Sequence, residues 1–575
     1  MSFRRILPAL ILVAVFATCC SPAMAPTPTA IPLPPEPETS PTPGVTAAPT
    51  TTPLPAVTPP DPYPGGLSQN WWRDGVFYVL LVRSFYDQSG DGYGDLAGLI
   101  DKLDYLNDGD PSTDTDLGVT GLWLLPVTRS PTYHGYGTTD YYTLEPTYGD
   151  NETFRRLVSE AHRRGIHVLL DLALNHTSDK HPWFQDSMSS PQAEHRDWYV
   201  WLPENPGWRG PDKRVVWFQS GGAYYYAFFG GSLPDLNLRN PAVTAELMNV
   251  VRFWLRDMGV DGFRLDAIRH LVEQGQAQES TPDTHAWLQG FYRTFKETQP
   301  NAFAIGEVTG PTAERVSYVG NEVDLCFEFD WAAAAIASLD KGDPGILVQK
   351  QQAIEALLPG GAYGSFLALQ DHTRVITQLR DNVAKARLAA TLLLTSPGVP
   401  FLWYGEEIGM RGSTPDVFIR RPMQWANQRA AGFTSGRPWM EVDLNYDQVN
   451  VADESVNADS LLSHYRKLIR LRTAYSSLRT GAWQPLQASD PAVYAYMRSD
   501  AASSIVVVLN LGAREVDSCA VSAQSSPLAA GAHQAQDLLG TDAFAPLEVA
   551  QAGAIAGWVP LKRLEPTSGW VLLLK

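Results

Sequence analysis

From Trp71 onward, short runs of β-branched and aromatic residues alternate with segments whose apolar positions recur at helical spacing. Eight runs read as strands: GVFYVLLVRSF, GVTGLWLLPV, HVLLDLAL, GVDGFRLDA, FAIGEV, VDLCFEF, GSFLALQD and GVPFLWYGEEIG. Amphipathic segments between them, among them residues 151–164 (NETFRRLVSEAHRR), 243–258 and 382–394, read as helices. Eight strands mostly alternating with helices predict an α/β fold, a parallel (β/α)8 (TIM) barrel. An open doubly wound sheet is the alternative, but no Gly-rich dinucleotide turn follows the first strand. The interval 177–235 is too long for a crossover and is rich in Trp, Tyr, Gly and Pro, so it is expected to be an inserted B domain after the third strand. The barrel is then 67–176 plus 236–477. After the helical pattern at 459–472, the runs VYAYMRSD, SIVVVLNLG and GWVLLLK predict a C-terminal antiparallel β-sandwich domain over 478–575.

The first residues follow another logic. Arg4 and Arg5 precede ILPALILVAVFAT and then Cys19-Cys20-Ser21. The apolar run is too short to cross a membrane and has the layout of a secretory signal, 1–20. Cys19 suggests a lipoprotein cleavage site, although Phe16-Ala17-Thr18 fits that pattern imperfectly; Ala23-Met24-Ala25 is the rival site, followed unfavourably by Pro26. Residues 21–66 are dominated by Pro, Thr and Ala and are expected to be an extended linker. An exported bacterial protein is expected, lipid-anchored at the cell surface or secreted. Cys326 and Cys519 imply no disulfide framework and read as buried free thiols. With 44 Lys and Arg against 62 Asp and Glu, a net charge of −18 makes nucleic acid an unsuitable partner. A monomer is expected.

In barrels of this kind, chemistry sits at the C-terminal strand ends. The third strand ends in Asp171, Asn175 and His176, the fourth in Arg264, Asp266 and His270, the fifth in Glu307, and the seventh in Asp371 and Arg374. A single acid there is usually a helix cap or ion-pair partner. Three on neighbouring strand ends, with Arg264 two residues before Asp266, suit glycosidic bond cleavage, in which one carboxylate attacks and a second carboxyl delivers a proton. The two-residue spacing points Arg264 and Asp266 into the same lumen, where the guanidinium keeps Asp266 ionised. Glu307 follows apolar FAIG, where burial raises its pKa toward that of a general acid.

With these residues in place, the sequence resembles glycoside hydrolase family 13, the α-amylase family, over essentially all of 71–575. DLALNHTSDKHPWF is similar to that family's first conserved region, GFRLDAIRH to its second, AIGEV to its third, FLALQDHTR to its fourth, and LPDLN to the additional region closing the B domain. The resemblance implies Asp266 as nucleophile, Glu307 as general acid/base and Asp371 as transition-state stabiliser. It implies Tyr136, His176, Arg264, Gln370 and Arg374 around the sugar at subsite −1, and His270 on the leaving-group side. RDWYVW, RRPMQW and DSLLSHYRKLIRLR look most like the group intermediate between oligo-1,6-glucosidases and α-amylases. The implied activity is retaining hydrolysis of α-1,4-glucans and maltooligosaccharides. Oligo-1,6-glucosidase, a trehalose-forming transglycosylase and a non-catalytic glucan-binding protein are the alternatives.

Three local features refine that expectation. The loop DQSGDGYGD places oxygen donors at Asp87, Ser89, Asp91, the Tyr93 carbonyl and Asp95, like the opening of an EF-hand, but Gly98 stands where its closing Glu would be. A structural Ca²⁺ is expected, with a solvated Gly-rich turn as the alternative. In FLALQDHTR the family's usual Asn and His are replaced by Leu369 and Gln370, and Gln cannot become cationic. In HGYGTTDYY, Gly137 stands where glucosidase-type relatives carry an Asp that closes subsite −1 against the arginine matched to Arg374. An open cleft and endo-acting or maltogenic cleavage are therefore expected. Glu406 and Glu407 read as structural ion-pair partners.

Overall fold

The computed structural model describes residues 67–575; the expected signal (1–20) and linker (21–66) lie outside the described residues. Each of the eight strand segments contains one barrel strand: β1 Phe77–Leu80, β2 Gly121–Leu124, β3 His167–Leu172, β4 Gly262–Leu265, β5 Phe303–Gly306, β6 Leu325–Cys326, β7 Gly364–Ser365 and β8 Val399–Trp403. Neighbours pair in parallel around the ring, with β1 between β2 and β8. The β6–β7 seam is reduced to one parallel bridge, Phe327 with Gly364, and a bond from Glu328 N–H to the Gly364 carbonyl (2.9 Å). GSFLALQD thus contributes only two ladder residues. Phe366 packs edge-on against Phe327 and Phe329, and the chain turns at Leu369, whose carbonyl accepts His372 N–H.

The strands are apolar on both faces because rings fill the lumen and helices cover the outside. Phe77 stacks on Phe401 at 4.7 Å, Trp123 lies 5.3 Å from Phe327, and Phe327 meets Phe401 at 4.9 Å. Gly262 is required here, since a Cβ would stand 1.9 Å from the Phe303 carbonyl oxygen. The helical patterns fold as Asn151–Arg163, Pro241–Arg252 with a widened π turn over Phe253–Asp257, Val383–Thr395 and Leu461–Ala474. Asp150 caps the first of them through Thr153 N–H. Cys326 and Cys519 are free and buried.

Within the insertion, Trp201–Leu202, Trp217–Ser220 and Ala223–Tyr226 form a small antiparallel sheet with its own cluster of Val216, Trp217, Tyr226 and Phe228. Its two ends meet at the rim of β3: His176 bridges Asp235, and Leu236 N–H bonds the Asn175 carbonyl at 2.8 Å.

The C-terminal domain is antiparallel throughout, a nine-stranded sheet plus a short ribbon of Val516–Asp517 with Arg563–Leu564. Its central strands β9 Val493–Ser499, β10 Ser504–Asn510 and β11 Ser568–Leu574 are buried on both faces. Alternation explains this: Val493, Ala495, Met497, Val506, Val508 and Leu572 enter the domain's own core, while Tyr494, Tyr496, Ile505, Val507, Leu509 and Val571 enter the core shared with the barrel.

Glu406 and Glu407 are held differently from the expectation. Glu407 accepts the hydroxyls of Tyr78 (2.7 Å) and Tyr105 (2.6 Å), and Glu406 that of Tyr465 (2.9 Å), so their partners are tyrosines rather than cations. Burial raises Glu406 to about 8, which favours a neutral, hydrogen-bonded carboxyl over an ion pair.

Buried Arg472 joins the helix Leu461–Ala474 to the approach of β8 by donating to the carbonyls of Leu394 (3.0 Å), Ser396 (3.2 Å) and Gly398 (2.5 Å). Burial and the nearby Arg498 lower its pKa to about 9. Arg472→Met leaves those carbonyls unpaired and is expected to cost on the order of 3 kcal/mol, read as a lowered Tm in scanning calorimetry; an unchanged Tm would show that the carbonyls find other donors.

Candidate active site

Asp171, Arg264 and Glu307 come together because β3, β4 and β5 are adjacent and their C-terminal ends share one rim. The backbone under the acids is still tied to the barrel: Asp266 N–H bonds the Leu172 carbonyl (3.2 Å) and Glu307 N–H the Leu265 carbonyl (3.0 Å). Arg264, 1% exposed, is the hub. Its Nη1 donates to Asp171 Oδ1 (2.8 Å) and Asp266 Oδ1 (2.6 Å), and its Nη2 to Glu307 Oε2 (2.8 Å). Tyr136 Oη donates to the other Asp171 oxygen at 2.9 Å, where the Trp123 indole N–H also points at 3.3 Å. Ala267, directly after Asp266, has φ 47°, a left-handed conformation uncommon for a residue with a Cβ. That turn aims its N–H at Glu307 Oε2 (3.1 Å).

Three carboxyls around one guanidinium cannot all be ionised cheaply out of water. Burial, reinforced by the charges of Asp266 and Asp371 and opposed by Arg264, raises Glu307 to about 7. Burial with the Asp266 charge, opposed by Arg264 and Tyr136, raises Asp171 to about 7 as well. Asp266 is also pushed up by burial, but Arg264 pulls it back. Glu307 and Asp171 are thus both able to hold a proton near neutrality, while Asp266, on the shortest bond to the guanidinium, is drawn back toward the carboxylate form by Arg264.

The other expected site residues fall in three places. His176 and Gln370 are buried beside the rim, each with an unpartnered atom. His176 Nδ1–H donates to Asn175 Oδ1 (3.0 Å), because the Asn175 amide NH₂ is occupied by Asp235 Oδ2 (3.1 Å) and the His270 carbonyl (2.7 Å). Burial lowers His176 to about 4, so the ring is neutral and Nε2 is a bare acceptor. Gln370 Nε2 donates to Asp371 Oδ2 (3.3 Å), leaving Oε1 as a second bare acceptor. His270 stacks on Phe228 at 4.0 Å and, with Phe229, Ala267, Arg269 and Glu307, lines a cavity of about 290 Å³ on the far side of the acid. His372 is turned away, against Phe329 and Phe366.

Arg374 lies outside this cluster. Its guanidinium is fully buried and donates to the carbonyls of Ile419 (2.8 Å) and Tyr404 (2.6 Å), not to a carboxylate. The guanidinium on Asp371 belongs to Arg420, Nη2 to Oδ1 at 2.6 Å. Arg420 opens RRPMQW, and Asp171 ends the third strand; both lay in quoted motifs, but nothing local in the sequence assigned them these contacts. At Gly137 a Cβ would meet Leu233 and Thr132 only at 3.5 Å, so the position has room for a side chain.

In the loop expected to bind Ca²⁺, Asp87 Oδ1 accepts Ser89 Oγ–H (3.0 Å) and Gly90 N–H (2.7 Å), and Oδ2 accepts Gly92 N–H (2.7 Å) and Thr434 Oγ1–H. Asp95 takes Ser89 N–H (3.0 Å) and Gly98 N–H (2.6 Å), and Asp91 takes Tyr93 N–H (2.8 Å). Asp91 and Asp95 keep lone pairs that fit a hard, oxygen-ligated cation, whereas both Asp87 oxygens are fully engaged. Among the described residues no group of three or more His, Cys, Asp or Glu is arranged to hold a metal ion.

A buried acid held near neutrality beside an arginine-paired carboxylate, at the mouth of a (β/α)8 barrel with bare acceptors for hydroxyl protons, defines a glycoside hydrolase site. Comparison with known proteins agrees. The profile described as alpha amylase, catalytic domain, matches residues 79–481. The chain is 35% identical to Alpha-amylase 3 of Dictyoglomus thermophilum over 78% of its own length and 87% of that protein. It is 31% identical to an oligo-1,6-glucosidase of Parageobacillus thermoglucosidasius over 77% and 91%. The crystal structure of the α-amylase from H. orenii superposes with a TM-score of 0.76 at 36% identity, covering 87% of this chain and 99% of that one. The chain belongs to the α-amylase family, glycoside hydrolase family 13, and its relatives are consistent with the group intermediate between α-amylases and oligo-1,6-glucosidases.

If the proton held by Glu307 is the one delivered in the reaction, activity is expected to be present below pH 7 and to fall about tenfold per unit above it. A kcat/KM profile from pH 5 to 9 checks this; a basic limb beginning above pH 8.5 would contradict the protonation assigned to Glu307.

Proposed function

We propose that the chain hydrolyses α-1,4-glucosidic bonds in starch-type glucans and maltooligosaccharides with retention of anomeric configuration. The observation that carries this reading is the single buried guanidinium holding Asp266 and Glu307 on adjacent strand ends. Asp266 attacks the anomeric carbon while Glu307 gives its proton to the departing glycosidic oxygen, so the C–O bond breaks as the Asp266 ester forms. Glu307, now a carboxylate, takes a proton from water, the water oxygen attacks the anomeric carbon, and Asp266 leaves. Asp371, His176 and Gln370 hold sugar hydroxyls at subsite −1 through these steps, and the cavity beside His270 and Phe229 receives the leaving sugar. Gly137 supports an open cleft that admits chains running through the site, hence endo-acting or maltogenic cleavage.

Incubation with maltoheptaose, isomaltose and starch, with products followed by time-resolved NMR, tests this. Maltose and longer α-anomers are expected first, and Asp266→Asn is expected to lower kcat by at least about 10³-fold. Glucose alone released from isomaltose would favour the oligo-1,6-glucosidase alternative, trehalose or other transfer products the transglycosylase, and no turnover the glucan-binding protein.

We also propose that the loop at Asp87–Asp95 takes a structural Ca²⁺ through Asp91, Asp95 and the Tyr93 carbonyl, supported by its hard oxygen donors. Excess EDTA is then expected to lower Tm by about 5 °C, reversed by Ca²⁺; an unchanged Tm would leave the loop as a self-bonded turn.

A further inference from the structure

Arg420 is buried, 3% of its side chain exposed, and every part of its guanidinium is engaged. Nη2 meets Asp371 at 2.6 Å, Nη1 meets Asp416 Oδ2 at 3.0 Å and Tyr133 Oη at 3.4 Å, and Nε donates to the Gln370 carbonyl at 3.2 Å. Tyr133 Oη closes the set by donating to Asp416 Oδ2 at 2.5 Å. Asp371 itself is 55% exposed, and its other contact, Gln370 Nε2 at 3.3 Å, is long and uncharged at the donor. The charge-assisted bond to Arg420 is therefore the one that fixes its rotamer.

The backbone beneath Arg420 is anchored on both sides. The preceding carbonyl, Ile419, accepts Arg374 Nε (2.8 Å) and the Trp403 indole N–H (3.3 Å). Arg420's own carbonyl accepts Ser84 Oγ–H (2.6 Å), just beyond β1. Arg374 thus sits one layer under the site, holding the loop that presents Arg420. His134 adds no second cation here, since burial and Arg420 lower it to about 4.

We propose that Arg420 is the positioning residue of Asp371 and that Arg374 acts through it as the buried strut of its loop. The inference rests on the proposed glycosidase reading for its kinetic consequence, but the contact itself does not. In this chain a neutral Gln370 leaves Arg420 as the charged group that sets where the Asp371 carboxylate points.

Kinetics on maltoheptaose and crystal structures of Arg420→Met and Arg420→Lys test it. Arg420→Met is expected to lower kcat about 10²-fold with KM within threefold, since a small misplacement of a transition-state group carries that penalty. Arg420→Lys, keeping the charge, is expected to recover at least about tenfold of the loss. In the Arg420→Met crystal, Asp371 is expected in a different rotamer. A raised KM with unchanged kcat, a Lys variant as poor as Met, or Asp371 unmoved in the crystal would each overturn the proposal. A wild-type protein idle on every α-glucoside would instead sink the glycosidase reading, and the crystal comparison would still decide the role of Arg420.

Discussion

The guanidinium of Arg264 is the interaction on which the site depends. Taking it out of water is costly, and the cost is offset only because Asp171, Asp266 and Glu307 converge on it from three adjacent strands. Removing Arg264 would leave three buried carboxyls facing one another without a cation, so the guanidinium holds these strand ends together. The same geometry dictates the chemistry. Three acids against one base, largely withdrawn from water, favour keeping a proton among them. Asp171 and Glu307 are both raised to about 7, and Glu307 is the one that feels Asp371 as well as Asp266.

The insertion is tied to this hub by a relay. Asp235, at its return to the barrel, fixes the amide of Asn175; Asn175 then fixes the ring of His176 and leaves Nε2 bare. Asp235 Oδ1 also accepts Phe228 N–H (2.8 Å), and Phe228 carries His270 by stacking. One buried carboxyl therefore sets both His176 and His270, a reason for LPDLN to lie where the B domain ends.

Most of the scaffold was legible in the sequence because parallel strands buried on both faces leave unbroken apolar runs, and all eight runs contain a strand. The acids were legible because period-two alternation and strand-end position are local properties. Contacts formed between loops distant in sequence were not. Arg374 was expected around subsite −1, yet it caps carbonyls 30 and 45 residues away, while the guanidinium on Asp371, that of Arg420, arrives from the loop after β8. The left-handed Ala267 was equally hidden, since nothing in an alanine announces a positive φ. Glu406 and Glu407 misled for the opposite reason. Paired acids suggest cations, but burial makes a tyrosine hydroxyl the better partner.

FLALQDHTR gains its meaning from these arginines. A neutral imidazole at position 370 would offer one donor and one acceptor, and Gln370 offers the same pair: its NH₂ reaches Asp371 and its carbonyl oxygen waits for a hydroxyl proton. What the amide lacks is the ability to become a cation. Two other groups carry positive charge into the site regardless of protonation, Arg264 on Asp266 and Arg420 on Asp371. The substitution thus removes a titrating group at position 370 and leaves the positive charge to arginines that do not titrate, while the histidines at the rim, His134 and His176, are held neutral near pH 7 by burial.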